Sequence, residues 1–228
     1  MKPLQKNIPK LYLIKITKWF MLFMPIVIPF FESNQLNFED VIQLQALHAL
    51  SMVLFEIPSG YFSDKLGRKN TMIFGCILGC LGFSVFTQAH LFWHFIIGNM
   101  FIGIGDSFIS GTDSALLYDT LFDLDRKEDY LKYEGRTVSF GNYAEAVAAL
   151  VGGTLVLYFG FRSAYYGQAF LAFLSVLTAF TLIEPHKHKD HVTPSIRQTF
   201  KVMFDSMFNH PILSWNIILS SIIGVSTL

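Results

Sequence analysis

Several polar and ionisable side chains stand inside long apolar runs of this sequence. A charge at the centre of a bilayer costs about 2.5–3.5 kcal/mol even on the lenient insertion scale, so such a residue is a candidate for function. Asp106, Ser110 and Asp113 follow helical spacing, which places two carboxylates and a hydroxyl on one helical face. Side chains of these types can bind a polar solute or carry a coupling proton. The candidates for these roles are Glu56, Asp106, Ser110, Asp113, Asn142 and Glu145.

Two of these carboxylates have a second interpretation. Glu56 and Asp113 stand near the ends of their apolar runs, where a carboxylate can instead serve as a structural partner of helix-end donors. Both interpretations stay open for this pair. Asp106 and Glu145 lie deeper in their runs, and we predict that they line a central cavity.

The sequence shows no residue set that is typical of catalysis or of metal binding. His186, His188 and His191 alternate with lysine, which favours a solvated loop over a metal-binding tract. Cys76 and Cys80 stand one helical turn apart in an apolar run, and this position favours packing. We therefore predict no enzyme activity, no cofactor and no metal site.

The composition is typical of an integral membrane protein. Of the 228 residues, 52% are hydrophobic and 15% are charged, and the mean hydropathy is +0.44. The formal net charge of +0 argues against a nucleic-acid partner, which would favour a basic patch. A transmembrane helix needs about 20 mostly apolar residues. Six complete spans are predicted at residues 11–31, 41–62, 71–88, 92–121, 137–159 and 163–183.

The predicted fold is an all-α membrane protein, a six-helix transmembrane bundle followed by a truncated seventh helix. Residues 1–184 form the bundle, 185–208 a cytoplasmic linker and 209–228 an incomplete seventh transmembrane helix. An end inside an apolar run favours a truncated product. Small residues one turn apart in the third span predict close helix packing, and they are Gly75, Gly79 and Gly82.

Lysine and arginine are distributed unevenly between the two sides of the predicted bundle. If the spans alternate in direction, Arg162 is the only Lys or Arg residue in the loops of one side. The positive-inside rule then predicts that the amino terminus and the linker face the cytoplasm. The expected location is a bacterial inner membrane, which the chain crosses several times.

A charged decapeptide, GYFSDKLGRK at residues 60–69, separates the second and third spans. Its charges cannot lie in hydrocarbon at low cost, so we predict a tight turn on the cytoplasmic side. The decapeptide matches the pattern G-x-x-x-D-[RK]-x-G-[RK]-[RK] and resembles the motif between helices 2 and 3 of the major facilitator superfamily. LFEIPSG before it, SGTDSALLYDTL in span four and IEP after span six resemble a prokaryotic branch of that family.

The resemblance covers essentially the whole chain and implies an architecture and a function. In the family, two six-helix halves surround a central site and rock to expose it to either side. This chain resembles the first half plus the start of helix 7. The implied function is secondary active transport of a small solute in a lipid bilayer, together with the missing carboxy-terminal half or a partner chain. A coupling proton is one candidate partner, and the identity of the coupling ion stays open. The alternative is a truncated, non-transporting fragment that at most associates with other helices.

The resemblance also implies a conformational latch at the decapeptide. Arg68 is expected to pair with Asp119, while Asp64 of the family motif faces a helix of the second half. Guanidinium–carboxylate bonds at a partly desolvated interface are strong, and a rocking motion can make and break them. The latch residues implied by the resemblance are Gly60, Asp64, Lys65, Gly67, Arg68, Lys69 and Asp119.

Two departures from the family pattern argue against a proton-driven drug antiporter. Asn99 stands where the helix-4 motif of proton-coupled members has an arginine. The helix-5 antiporter motif keeps its small residues between Gly135 and Gly153 but lacks its proline.

Overall fold

The structure, a computed structural model, describes residues 3–186 and Trp215. In this part of the chain, six segments are long and apolar enough to cross a membrane: Leu4–Ser33, Phe38–Leu66, Arg68–Gln88, Phe92–Asp123, Lys127–Phe159 and Arg162–Phe180. This result confirms the predicted all-α six-helix transmembrane bundle. The α-helices are α1 (Asn7–Trp19), α2 (Val27–Ser33), α3 (Phe38–Leu66), α4 (Arg68–Gln88), α5 (Phe92–Ile109), α6 (Thr112–Asp123), α7 (Tyr130–Phe159) and α8 (Arg162–Phe180).

The predicted linker and seventh helix fall almost entirely outside the described residues. Within residues 185–228 the structure describes Pro185, His186 and Trp215. Both domain boundaries beyond the bundle therefore stay predictions, as does the interpretation of His188 and His191.

The first span, predicted at residues 11–31, is present as Leu4–Ser33, but its helix is broken. The chain leaves the α-helix after Trp19 and forms a 3-10 turn at Met24–Ile26 before α2 begins. Proline explains the position of the break, because Pro25 has no N–H group and its ring would clash with the carbonyl of residue 21 in a continuous helix. The Leu22 N–H group, free of the helical ladder, donates to the Gln168 side-chain oxygen of α8 at 3.2 Å.

The fourth span, predicted at residues 92–121, is present as Phe92–Asp123 but is also broken, so the prediction that Asp106, Ser110 and Asp113 share one helical face is wrong. α5 ends at Ile109, Ser110 is extended (ψ 131°) and Gly111 has a φ of +74°. A positive φ of this kind suits glycine and interrupts a right-handed helix. Asp106 and Asp113 consequently belong to two helices, and Ser110 is exposed at the break between them.

The predicted glycine stripe of the third span packs against α5. A Cβ atom added to Gly75 would lie 2.9 Å from the Gly105 carbonyl oxygen, and one added to Gly82 would lie 2.8 Å from the Gly98 carbonyl oxygen. The two backbones therefore touch, which only small residues allow. This contact confirms the predicted packing role of Gly75 and Gly82, whereas a Cβ atom added to Gly79 would meet nothing within 4 Å.

The decapeptide 60–69 is not an open turn. Seven of its residues end α3 and two begin α4, so Gly67 alone is non-helical. The sequence analysis overestimated the length of the turn, because most of the charged side chains of the decapeptide extend from helical backbone. The chain itself reverses direction at Gly67 alone. We call this side of the bundle the motif end.

Arg162 links three segments at the opposite end of the bundle. Its Nη1 donates to the Thr87 carbonyl oxygen at 2.9 Å, and its Nη2 donates to the Ala89 carbonyl oxygen at 2.7 Å and to Asn34 Oδ1 at 2.9 Å. The His90 ring nitrogen Nδ1 lies 2.9 Å from the same Nη2. One side chain at the start of α8 thus holds the end of α4 and the loop after α2.

Replacing Arg162 by methionine should lower the free energy of unfolding by about 2 kcal/mol, because the Thr87 and Ala89 carbonyl groups lose a charged donor. The measurement is the Tm of the purified chain in detergent. Arg126→Met is the matched control, since Arg126 binds nearby Asp129 and Tyr133 on the surface and its loss should cost under about 1 kcal/mol. Equal Tm losses in the two variants would contradict the linking role of Arg162.

Candidate functional site

A cavity of about 230 Å³ lies inside the bundle, between α1, α3, α4, α5 and α8. It begins near the middle of the bundle and extends towards the end opposite the motif. Most of its wall is apolar and aromatic. The polar and ionisable side chains on the wall are Thr17, Lys18, Gln45, His48, Asn99, Asp106, Tyr165, Gln168 and Ser175.

Three ionisable side chains from three helices meet on this wall. Lys18 Nζ of α1 lies 3.0 Å from Asp106 Oδ1 of α5, and His48 Nε2 of α3 lies 3.7 Å from Asp106 Oδ2. About a quarter of each of these side chains remains exposed, and all three residues line the cavity. Lys18 is followed by Trp19, the last residue of α1, and then by the break in the first span. The irregular backbone of the break therefore lies at the same wall.

A second ion pair lies one helical turn further towards the motif end. Lys15 Nζ of α1 binds Asp113 Oδ2 of α6 at 2.9 Å, and the Ser114 N–H group donates to Asp113 Oδ1 at 2.8 Å. Asp113 therefore combines a charge partner on another helix with a helix-end donor, the structural interpretation that the sequence left open. It does not line the cavity.

Sequence reasoning missed Lys15 and Lys18. Both lie inside the first apolar run, three residues apart, and thus on one helical face. The sequence nevertheless contained a usable signal, because two lysines in an apolar span need two anionic partners. Asp106 and Asp113, seven residues apart in the fourth span, are two such carboxylates. The pairing also shows that the two aspartates face α1.

The other predicted site residues lie away from this cavity. Glu56, Ser110 and Asn142 are exposed on the bundle, and Glu145 is half-buried. None of the four lines the cavity. Their predicted role at a central site between two halves stays a prediction.

Arg68 is the centre of the polar network at the motif end. Its Nη1 donates to Ser63 Oγ at 2.8 Å and lies 2.9 Å from Asp64 Oδ1. Its Nε donates to Asp119 Oδ2 of α6 at 3.3 Å. The structure thus contains the expected Arg68–Asp119 pair and adds an Arg68–Asp64 pair within the bundle, and these contacts join the ends of α3, α4 and α6.

Glu184 adds a contact that sequence reasoning did not find. Its carboxylate accepts hydrogen bonds from the backbone N–H groups of Arg68 (2.7 Å) and Lys69 (2.8 Å), the first residues of α4. A carboxylate at a helix N-terminus satisfies donors that the helix itself cannot pair. No local signal predicts this cap, because Glu184 follows the sixth span and the helix it caps begins the third.

Comparison with known proteins identifies the family. Residues 12–228 match the Major Facilitator Superfamily profile. The chain is 33% identical over 132 residues to an uncharacterized transporter of Buchnera aphidicola subsp. Acyrthosiphon pisum, a match that covers 58% of this chain and 32% of that protein. It is 27% identical over 139 residues to a multidrug resistance protein of Klebsiella pneumoniae (60% of this chain, 34% of that protein). An inner membrane transport protein of Escherichia coli K12 is 28% identical over 127 residues (55% and 26%).

The matched segments cover about a third of the length of these curated relatives. The profile match, by contrast, covers nearly the whole of this chain and includes both the cavity and the motif. The bundle, the decapeptide motif at residues 60–69 and this match lead to one conclusion: the chain belongs to the Major Facilitator Superfamily.

Proposed function

We propose that this chain forms one six-helix half of a secondary active transporter that moves a small solute by alternating access. The observation that carries the proposal is the Lys18–Asp106 pair on the wall of a cavity, directly beside a broken helix. Interrupted helices with charged groups at a cavity are where transporters bind solutes and coupling ions.

The network at the motif end supports the same mechanism. Arg68 binds Asp119 within this bundle, and the family places the partner of Asp64 on the other half. Charge-assisted bonds of this kind hold one conformation and are released when the halves rock. The second half would come from a carboxy-terminal bundle or a partner chain, and the similarity to an inner membrane transport protein of Escherichia coli supports the bacterial inner membrane.

The direction in which the chain crosses the membrane is part of the proposal. The motif-end loops carry most of the lysine and arginine residues, which supports a cytoplasmic amino terminus. A coupling proton would use Asp106 or His48, the titratable groups that meet at the cavity wall.

Transport can be tested in proteoliposomes with the chain alone and with the chain joined to the carboxy-terminal half of the Buchnera transporter. Pooled solutes are supplied outside, and the lumenal contents are identified by mass spectrometry. We expect solute uptake by the joined form and none by the single bundle, because alternating access needs two moving halves.

Asp106→Asn in the joined form should reduce that uptake at least tenfold, since Lys18 loses its partner at the cavity. Glu39→Gln is the matched control, because Glu39 is an exposed carboxylate at the start of α3. Uptake that is equal in Asp106→Asn and in the unmodified protein would contradict the proposed site. A joined form that is folded but takes up none of the solutes would support the alternative, a non-transporting fragment.

A further inference from the structure

We infer that the cavity inside this bundle binds a small zwitterion, a molecule that carries one carboxylate and one ammonium group beside a compact apolar portion. The inference rests on the proposed function, because it names the class of solute that the transporter would carry. Nothing in the names of the relatives specifies such a solute. Four observations on the cavity wall support it.

The first observation is the charge balance of the wall. Lys18 and Asp106 are the only Lys, Arg, Asp or Glu residues among the cavity-lining residues of the described chain, so their formal charges cancel. A cationic solute that took Asp106 would leave the Lys18 ammonium without a partner in the membrane interior, and an anionic solute would do the same to Asp106. Unpaired buried charges are strongly unfavourable. A zwitterion pairs both groups at once.

The second observation is the geometry of the pair. Lys18 Nζ and Asp106 Oδ1 lie 3.0 Å apart, and each side chain keeps an exposed part on the cavity side. An α-amino carboxylate holds its two charges on neighbouring groups, which is a comparable separation. It can therefore lie antiparallel to the protein pair, with its carboxylate at Lys18 and its ammonium at Asp106. His48, 3.7 Å from the second Asp106 oxygen, limits the space on that side.

The third observation is size. The cavity volume of about 230 Å³ lies below the roughly 300–1,000 Å³ that is usual for pockets of drug-sized ligands. Aromatic rings contribute to the rest of the wall, with Phe23 and Phe83 centroids 5.4 Å apart and Phe86 stacked on Tyr165 at 5.3 Å. Such a wall fits one small apolar group.

The fourth observation is an unpaired hydroxyl group. Tyr165 is 2% exposed, and its hydroxyl oxygen is buried with no hydrogen-bond partner among the described residues. Buried hydroxyl groups are rarely left unpaired. Because Tyr165 lines the cavity, a polar group of a bound solute can supply the missing bond.

The test uses three probes that share one phenyl group and differ in charge: L-phenylalanine is a zwitterion, phenethylamine a cation and hydrocinnamate an anion. Each is titrated into the full purified chain in detergent, and binding is measured by calorimetry and by the rise in Tm. We expect L-phenylalanine to bind at least tenfold more tightly than either singly charged probe.

Two variants should invert this preference. Lys18→Gln leaves Asp106 as the only formal charge on the wall, so phenethylamine should become the tightest binder of the three. Asp106→Asn leaves Lys18, so hydrocinnamate should become the tightest. A role of the ion pair in folding alone would not move the preference in opposite directions.

Two results on the unmodified chain would overturn the inference without any variant. One is binding of phenethylamine or hydrocinnamate as tight as that of L-phenylalanine, and the other is no binding of all three probes at 10 mM. Because binding is read in detergent, its failure is separate from a failure of transport. Zwitterion binding without flux in proteoliposomes would refute the proposed function only, and flux of other solutes without zwitterion binding would refute this inference only.

Discussion

Replacing Gly152 of α7 by alanine is expected to lower the free energy of unfolding by about 3 kcal/mol, the upper end of the usual cost of overpacking. A Cβ atom at this position would lie 2.2 Å from the Leu22 carbonyl oxygen, and 3.0 Å from its carbonyl carbon. The obstacle is backbone, so no side-chain rotation can relieve the clash. α7 would have to move away from the break in the first span, and the cavity wall at residues 21–24 would move with it.

Gly153 provides the matched control for this prediction. It is the next residue of the same helix, and a Cβ atom added there would meet nothing within 4 Å. Gly153→Ala should leave the Tm unchanged or raise it slightly, because alanine is about 0.5–1 kcal/mol better than glycine inside a helix. Thermal unfolding of both variants in detergent provides the comparison. A Gly152→Ala protein as stable as Gly153→Ala would show that α7 does not touch the broken segment.

The second large effect is expected at Gly67, the single non-helical residue of the motif. Its φ of +99° and ψ of 154° belong to a region that is essentially restricted to glycine, and other residues there cost about 1–3 kcal/mol. A Cβ atom would also lie 2.6 Å from the Glu184 carboxylate oxygen that caps α4. With loss of the cap at about 1 kcal/mol, Gly67→Ala should cost roughly 2–4 kcal/mol.

A double-mutant cycle separates the two causes at this position. If displacement of the cap contributes, Glu184→Ala should cost less stability in the Gly67→Ala protein than in the unmodified one. Gly60→Ala is the control from the same motif, because Gly60 is helical and has open space around its Cβ position. Additive losses would attribute the effect to backbone strain alone, and a Gly60→Ala loss equal to that of Gly67→Ala would refute the special role of Gly67.

Polar contacts tie the helices of this bundle together at the motif end and in the middle. At the motif end, Arg68 and Glu184 join the ends of four helical segments through hydrogen bonds. In the middle, Lys15 and Lys18 hold α1 against α6 and α5. A rocking transporter half needs such internal ties, because it must move as a body while the contacts to its partner change.

Much of the fold followed from the sequence, although the helix ends and breaks did not. The six apolar runs each became a span, but α3 and α7 extend beyond the predicted ranges because charged residues such as Asp64 and Glu134 remain helical outside the apolar part. The breaks after Trp19 and after Ile109 depend on local backbone geometry at Pro25 and Gly111. Hydropathy averages over about 20 residues and cannot register either break.

The sequence by itself determined that this protein is an all-α membrane bundle with a major facilitator motif, because backbone in a bilayer must be paired internally and apolar runs of about 20 residues achieve this as helices. Tertiary structure decided the polar pairs that lie outside the family motif. Lys15 binds Asp113 across 98 residues, and Glu184 caps Arg68 across 116. Such pairings depend on the rotation of each helix about its axis and on its packing against neighbours, whereas the spacing of residues within one helix predicts only which of them share a face.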